Sequence, residues 1–190
     1  SVASAAALVA VEEKALGGCD GLKAVLVDDL ALWCSISFAN ATANPLSNGG
    51  ALRVGDDQLS ALTIPEGVSV IGDYAFYGCS GLTSVSVPSS VTDIANTSFA
   101  GCESLRSVIW NIPDYGKPCL VFANNPSIET FVFGEGVVCI PLGVCENNNG
   151  MTSVTIGPSV AEIGPNAFVN CTSLEHISLP GTVTTTGRHA

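Results

Sequence analysis

Charged side chains are scarce in this sequence. Asp, Glu, Lys and Arg make up 12% of its 190 residues, about half the share that an average globular domain carries. Lys and Arg are the scarcest, with six residues against 17 Asp and Glu, so the formal net charge is −11. Nucleic acids and anionic membranes are bound through clustered basic side chains, and the shortage argues against both partners. The apolar share of 47% excludes intrinsic disorder.

Histidine is nearly absent, which limits the chemistry open to the chain. A nucleophilic Ser or Cys needs a general base, and only His176 and His189 are present. We interpret both as solvated side chains. The sequence has no Cys-x2-Cys pair for zinc and no G-x-x-x-x-G-K loop for phosphate. It therefore predicts no enzyme, no cofactor and no metal site.

Long apolar runs are also missing. The charge-free stretches 2–11 and 30–39 have about half of the ~20 residues that a membrane-spanning helix needs, so we expect no membrane insertion. No basic segment precedes the amino-terminal apolar run, so no signal peptide is predicted in this chain.

A repeat dominates what is present. Apolar residues recur every 23 residues without slippage, at Leu59, Leu82, Leu105, Ile128, Met151 and Leu174. In the unit 82–104, Val85 and Val87 alternate with polar residues as in a half-buried strand, and Pro88 ends it. A single unit cannot bury its own apolar face, but stacked units can. The repeat therefore predicts a solenoid of about eight turns.

Two phrases within the repeat resemble the BspA-like, or Treponema pallidum type, leucine-rich repeat family: IPEGVSVIGDYAFYGCSGLTSVSVPSSVTDI and IGPSVAEIGPNAFVNCTSLEHISLP. The resemblance covers residues 59–190. It implies a leucine-rich repeat solenoid with a parallel β-sheet on one face and loops with short helical or 3-10 turns on the other. It also implies a non-enzymatic role in protein–protein interaction or adhesion, at the cell surface or in secreted form.

We divide the chain into three segments of one solenoid domain. Residues 1–29 are partial amino-terminal repeats, because 15–22 parallels 75–82. Residues 30–58 are an irregular repeat with a hairpin insertion, in which we expect Leu52–Val54 to pair with Leu59–Ile64. Residues 59–190 are 23-residue repeats, the last of them truncated, so we expect the chain to be part of a longer array.

One region of the array departs from the pattern. Residues 105–150 keep the register, but Asp114 and Lys117 replace core aliphatic residues. We therefore expect a rebuilt turn at this point.

The eight cysteines fit the repeat better than a reactive site. One interior column holds Cys79, Cys102 and Cys171, and Cys19 has the equivalent place in an earlier repeat. Buried free Cys packs as a small apolar residue, so we predict a reduced ladder. Cys79 and Cys102 are nevertheless close enough in principle to bond. The others are Cys34, Cys119, Cys139 and Cys145; the last two could form a local disulfide, or Cys145 could simply be buried in place of a core Phe.

The residues that alternate with the core residues of each strand form an outward surface, which we call the sheet face. Its members are Ser84, Ser86, Ser107, Ile109, Thr130, Val132, Ser153, Thr155, His176 and Ser178. Solenoids bind partners on such extended faces, so we predict a protein partner here. A bare solvent face, a spacer array that supports another domain, and part of an enzyme with its catalytic domain elsewhere are the alternatives.

Overall fold

A computed structural model describes residues 10–12, 22–47, 50–55 and 57–190, which contain fifteen short strands and little helix. The strands are β1 (Ala10–Val11), β2 (Ala24–Val27), β3 (Ser37–Phe38), β4 (Ala51–Val54), β5 (Asp57–Gln58), β6 (Ala61–Thr63), β7 (Val70–Ile71), β8 (Ser84–Val87), β9 (Asp93–Ile94), β10 (Ser107–Trp110), β11 (Thr130–Phe133), β12 (Cys139–Ile140), β13 (Ser153–Ile156), β14 (Glu162–Ile163) and β15 (Thr185–Thr186). Helix α1 spans Leu30–Ser35, and a 3-10 helix spans Ala41–Ala43.

The main sheet is parallel and in register, in the order β6-β8-β10-β11-β13. Each residue of a strand pairs with the residue 23 positions further along the chain, as Val85 does with Val108 and Val108 with Phe131. These side chains are buried, and their neighbours along each strand face outward. One turn of the solenoid therefore contains 23 residues, because parallel pairing aligns each residue with the equivalent residue of the next repeat.

Short parallel strands line a second side of the stack. They form the sheets β1-β3, β7-β9 and β12-β14-β15. The chain is a parallel β-solenoid of about seven turns with very little helix, which confirms the predicted fold class. The sequence predicted about eight turns.

The strand expected to carry the face residues His176 and Ser178 is wrong, because residues 174–179 form no strand and make no backbone hydrogen bond to β13. Residues 180–190 return to pair with β14 through β15 and leave Ile177 43% and Leu179 49% exposed.

The hairpin insertion is present with a different second strand. β4 pairs antiparallel with β5 across a turn in which Gly55 has a φ of 62°, and of the expected strand Leu59–Ile64 only Leu59 joins the hairpin, its N–H donating to Leu52 O at 2.8 Å. The chain then enters β6, which pairs with β8 as the next turn of the main sheet. Leu62 and Ile64 belong to the solenoid core and are 1% exposed, so burial decides the pairing. The division of the chain into three segments stays a prediction. Residues 1–9 and 13–21, which belong to the first segment, lie outside the described residues.

The departure at residues 105–127 is a rebuilt turn that interrupts the second side between β9 and β12. Pro118 lacks the N–H that Ala95 donates to Ile71 O (2.9 Å) one repeat earlier. The hydroxyl of Tyr115 instead pairs with both backbone groups of Ile94. It accepts a hydrogen bond from the Ile94 N–H (2.9 Å) and donates one to the Ile94 carbonyl (3.1 Å). A side chain thereby replaces the missing strand pairing.

Lys117, which stands in place of a core aliphatic residue, avoids burial in the rebuilt turn. It is exposed and makes an ion pair with Asp93 at 2.6 Å, and its ammonium lies 5.0 Å from the ring centre of Tyr115. Asp114 is also exposed and accepts a hydrogen bond from Gly116 N. Both charges therefore stay in solvent while Tyr115 fills the core position.

Two ladders run through the turns from repeat to repeat. Phe76, Phe99 and Phe122 stack in the core with ring centres 5.1 and 5.3 Å apart. On the surface, the Asn147 amide donates to Asn124 Oδ1 (2.9 Å) and accepts from Asn170 Nδ2 (2.7 Å). Asn124, Asn147 and Asn170 adopt φ angles of 58°, 62° and 58°. Asn tolerates this left-handed conformation better than most residues, and the column shared with Gly78 and Gly101 was the sequence signal for it.

The role of Tyr115 yields a stability prediction. Replacing Tyr115 with Phe removes both hydrogen bonds and leaves the Ile94 N–H and carbonyl unpaired, so we expect a loss of about 1–3 kcal/mol in the free energy of unfolding. The measurement is urea denaturation followed by circular dichroism. Tyr77→Phe is the matched control, since no hydrogen bond to the Tyr77 hydroxyl exists among the described residues; it should cost less than about 0.5 kcal/mol. Equal effects of the two changes would contradict the bridging role of Tyr115.

Candidate protein-binding face

The main sheet arranges eight of the ten predicted face residues in two ranks. Cross-strand register places Ser84, Ser107, Thr130 and Ser153 in one rank, and Ser86, Ile109, Val132 and Thr155 in the other. Strand pairing brings neighbours within a rank about 4.8 Å apart. The two ranks form a continuous surface of hydroxyl and methyl groups.

His176 and Ser178 do not join these ranks. Both are exposed, but they lie in the segment 174–179 that forms no strand. The sheet face described by the structure therefore ends at β13, on Ser153 and Thr155.

An apolar spot lies in the middle of the second rank. Ile109 is 39% exposed, and its cross-strand partner Val132 is half-buried. Hydroxyl residues precede and follow this pair in the rank, at Ser86 and Thr155. Because Ile and Val have no polar group to solvate, this pair is the part of the face that gains most from being covered.

The sheet face carries no charged side chain in its two ranks. The nearest ion pair joins Arg106 and Glu129 at 3.4 Å, just before the start of β10 and β11. Both side chains are about half exposed, at 46% and 59%, and exposed pairs of this kind contribute about 0–1 kcal/mol. Recognition on this face would rest on shape, hydrogen bonds to hydroxyls and apolar contact.

The second side of the stack also exposes apolar residues, but separately. Val70 on β7 is 42% exposed and Val138, just before β12, is 46% exposed. The interruption at Tyr115 and the ion pair of Asp93 with Lys117 lie in the repeats between them. No continuous apolar spot is formed there in the described residues.

The seven cysteines that the structure describes are free thiols, and Cys19 lies outside the described residues. Cys145 is fully buried in the Phe column, and no bond joins it to Cys139. Cys102 donates to Phe76 O (3.2 Å), and Cys171 donates to Cys145 O (3.2 Å). The thiols act as interior packing groups.

Burial makes these thiols hard to ionise. It raises the pKa of Cys34, Cys102 and Cys119 to about 12 and that of Cys171 to about 11. The pKa of Cys139 is raised as well, first by burial and then by the carboxylates of Glu162 and Asp114, although this residue is only partly buried.

The remaining polar candidates have structural surroundings. Asp29 caps α1 by accepting from Ala31 N (2.9 Å) and Leu32 N (3.1 Å). Among the described residues, no three His, Cys, Asp or Glu side chains come close enough to hold a metal ion. The same part of the chain contains no helix with the length and apolarity to cross a membrane.

Stacked repeats with in-register parallel strands define the chain as a leucine-rich repeat solenoid. A family model described as the BspA type leucine rich repeat region matches residues 55–137 and 112–190, with six copies. The chain belongs to this family, as its repeat predicts.

The chain is similar to several solved structures. A leucine-rich repeat protein from Eubacterium ventriosum is 21% identical, with a TM-score of 0.56 over 71% of this chain and 43% of that one. A leucine rich cell surface protein from Faecalibacterium prausnitzii is 26% identical (TM-score 0.41; 67% of this chain, 43% of that one). The pneumococcal vaccine antigen PcpA is 20% identical (TM-score 0.45; 74% and 40%). The chain thus spans less than half the length of each relative. No curated protein matches it.

Thiol burial yields an alkylation prediction. At pH 8 a thiol with a pKa of about 12 is ionised in only about one molecule in ten thousand. Iodoacetamide should therefore modify Cys139 well before Cys34, Cys102 and Cys119, as measured by mass spectrometry of proteolytic peptides. In urea, all eight cysteines of the chain should react. A smaller number in urea would show disulfides and contradict the reduced ladder.

Proposed function

We propose that the chain is a non-enzymatic leucine-rich repeat solenoid that binds a protein partner through the sheet face, as part of a surface or secreted protein. The observation that carries the proposal is the Ile109–Val132 pair, an exposed apolar spot within two charge-free ranks of hydroxyl residues. Membership in the BspA-type family supports a surface or secreted location.

The character of the face narrows the class of partner. Interface cores are depleted of charge and rich in apolar contact, with hydrogen bonds around them. The two ranks have this composition on a small scale, since serine and threonine hydroxyls both donate and accept. The partner surface should therefore be a largely uncharged protein patch with an apolar centre. A nucleic acid or an anionic membrane would instead require basic clusters, which the ranks lack.

Rigidity also favours the sheet face. Backbone hydrogen bonds hold each of the four strands β8, β10, β11 and β13 in register. A preformed surface loses little conformational freedom on binding, which improves affinity for a given contact area.

The test replaces the apolar spot with charge. The double variant Ile109→Lys, Val132→Lys should lower partner capture at least about tenfold, because two buried ammonium groups would need to be desolvated in the complex. Capture is measured by passing an extracellular protein fraction over the immobilised chain and then determining the Kd of the purified partner.

The matched control is Val70→Lys, Val138→Lys, which makes the same change at two exposed apolar positions of the second side. Both variants should keep the wild-type circular dichroism spectrum, with a slightly lower unfolding midpoint for the first, because lysines at 109 and 132 face each other across neighbouring strands. Equal loss of capture in the two variants would place the binding site away from the sheet face. If the wild-type chain captured no partner, the spacer hypothesis would be favoured.

A further inference from the structure

A run of three asparagines and a glycine forms the turn shortly before β13, at Asn147, Asn148, Asn149 and Gly150. When glycine follows asparagine, no side chain obstructs the approach of the asparagine amide to the next main-chain nitrogen. Whether the two groups react in a folded chain depends on whether they are held in another arrangement. The three amides of this turn differ in that respect.

Hydrogen bonds hold the first two side chains of the run. The Asn147 amide donates to Asn124 Oδ1 (2.9 Å) and accepts from Asn170 Nδ2 (2.7 Å). Asn148 is fully buried, and its Oδ1 accepts a hydrogen bond from Asn125 N at 2.9 Å. Both amides are therefore fixed in place, and that of Asn148 is also shielded from water.

The third side chain has no such restraint. Asn149 is exposed, and its amide makes no hydrogen bond within the described part of the chain. The N–H of Gly150 likewise has no acceptor among these residues, although the next N–H, that of Met151, donates to Asn148 O at 3.0 Å. The side-chain carbonyl carbon and the nitrogen that can attack it are thus both unrestrained at Asn149 and Gly150.

We propose that Asn149 is a site of spontaneous covalent modification, at which the side-chain amide is lost as ammonia and the residue becomes aspartate or isoaspartate. The proposal does not depend on partner binding by the sheet face. Asn-Gly also occurs at 48–49, which lies outside the described residues.

The chemistry needs water and no other reagent. The Gly150 nitrogen gives up its proton to solvent and attacks Asn149 Cγ, so a C–N bond forms and the NH2 group takes up a proton and leaves as ammonia. The product is a cyclic succinimide. Water then opens the ring at Cγ to give aspartate, or at the main-chain carbonyl of residue 149 to give isoaspartate. Since the deprotonated nitrogen is the nucleophile, the rate should rise with hydroxide concentration.

The path of the backbone at Gly150 determines what each product does to the fold. The glycine lies so close to the preceding repeat that a Cβ there would overlap Pro126 O. Its flanking neighbours Asn148 and Met151 are fully buried. Isoaspartate lengthens the main chain by one atom between these two anchored residues, so the segment must bulge or lift Met151 from the core. Aspartate keeps the main-chain length and only adds a charge to an exposed side chain.

The lengthened segment leads directly into the main sheet. Thr152 N and Ser153 N both donate to Glu129 O, at 2.9 and 3.2 Å, and attach β13 to the residue before β11. We therefore expect the isoaspartyl form to loosen β13, and the aspartyl form to leave it in place.

The first experiment incubates the full chain in mildly alkaline buffer, folded and in urea, and assigns each conversion by tandem mass spectrometry of proteolytic peptides. In the folded chain, Asn149 should be converted at least about tenfold faster than Asn147, whose hydrogen bonds must break first. The folded rate at Asn149 should lie within about tenfold of its rate in urea, because little local opening is needed. Conversion of Asn149 in urea but not in the folded chain would overturn the proposal.

The variant Asn125→Gly is the matched control, because it creates the same dipeptide where both reacting groups are held. Asn124 Oδ1 accepts from Asn147 Nδ2, and the N–H of residue 125 donates to Asn148 Oδ1, each at 2.9 Å. In the folded variant, Asn124 should be converted at least about tenfold more slowly than Asn149, whereas in urea the two rates should be equal. Equal rates in the folded variant would show that the dipeptide alone sets the reactivity and would contradict the structural argument.

Stability measurements separate the two products. The variant Asn149→Asp carries the charge without the longer main chain, so it should keep the wild-type unfolding midpoint. After incubation, the wild-type chain should contain a second population whose midpoint is at least about 2 °C lower. The size of this population should match the fraction of isoaspartate at residue 149, which electron-transfer fragmentation distinguishes from aspartate.

The variant Asn149→Gln controls for the dipeptide at 48–49 and for the other asparagines. Glutamine must close a larger ring and reacts far more slowly, so the incubated variant should unfold as a single population. A second population in this variant would assign the change to another residue and refute the role of Asn149. A single population in incubated wild-type protein that contains isoaspartate at residue 149 would refute the predicted strain at Gly150.

Discussion

Each turn of this solenoid has an apolar face that only the neighbouring turn can cover, and the rest of the structure follows from this dependence. Strands pair at a constant offset of 23 residues, so every core residue meets its own equivalent. The phenylalanine ladder shows the consequence, since Phe76 and Phe99 stack nearly parallel at 3°. Aromatic pairs of this kind add about 0.5–1.5 kcal/mol beyond the area they bury. The scarcity of charge has the same origin, because the interior columns are apolar and the outward strand positions are short hydroxyl residues.

Departures from the repeat are compensated locally where the core requires it. Tyr115 replaces a lost strand pairing with its hydroxyl, and Asn148 takes a place in the cysteine column while its Oδ1 accepts from Asn125 N at 2.9 Å. Compensation is incomplete between the turns 96–103 and 120–127, where the N–H of the buried Phe99 has no partner among the described residues. Buried backbone groups without partners are uncommon in native proteins.

Thiol burial bears on the proposed surface location. Free cysteines in an oxidising environment form disulfides when their thiolates are accessible. Burial raises the pKa of Cys102 and Cys119 to about 12 and holds that of Cys145 well above its ordinary value. A fold that keeps its thiols protonated and inside the stack can remain reduced in such surroundings, so packing alone would make the cysteine ladder compatible with secretion.

The sequence by itself determined the solenoid, the strand positions in the regular repeats and the hydroxyl character of the sheet face, because a 23-residue period leaves one register in which all apolar columns meet. It did not determine the return strand of the hairpin, since Leu59–Ile64 alternates equally well for either partner. It also predicted a strand that carries His176 and Ser178, where composition suits a strand but the structure has none. The tertiary structure alone decided the Tyr115 bridge and the incomplete pairing between the turns 96–103 and 120–127. Both depend on which backbone groups lose their partners when neighbouring turns take different paths, and that mismatch exists only between stacked repeats.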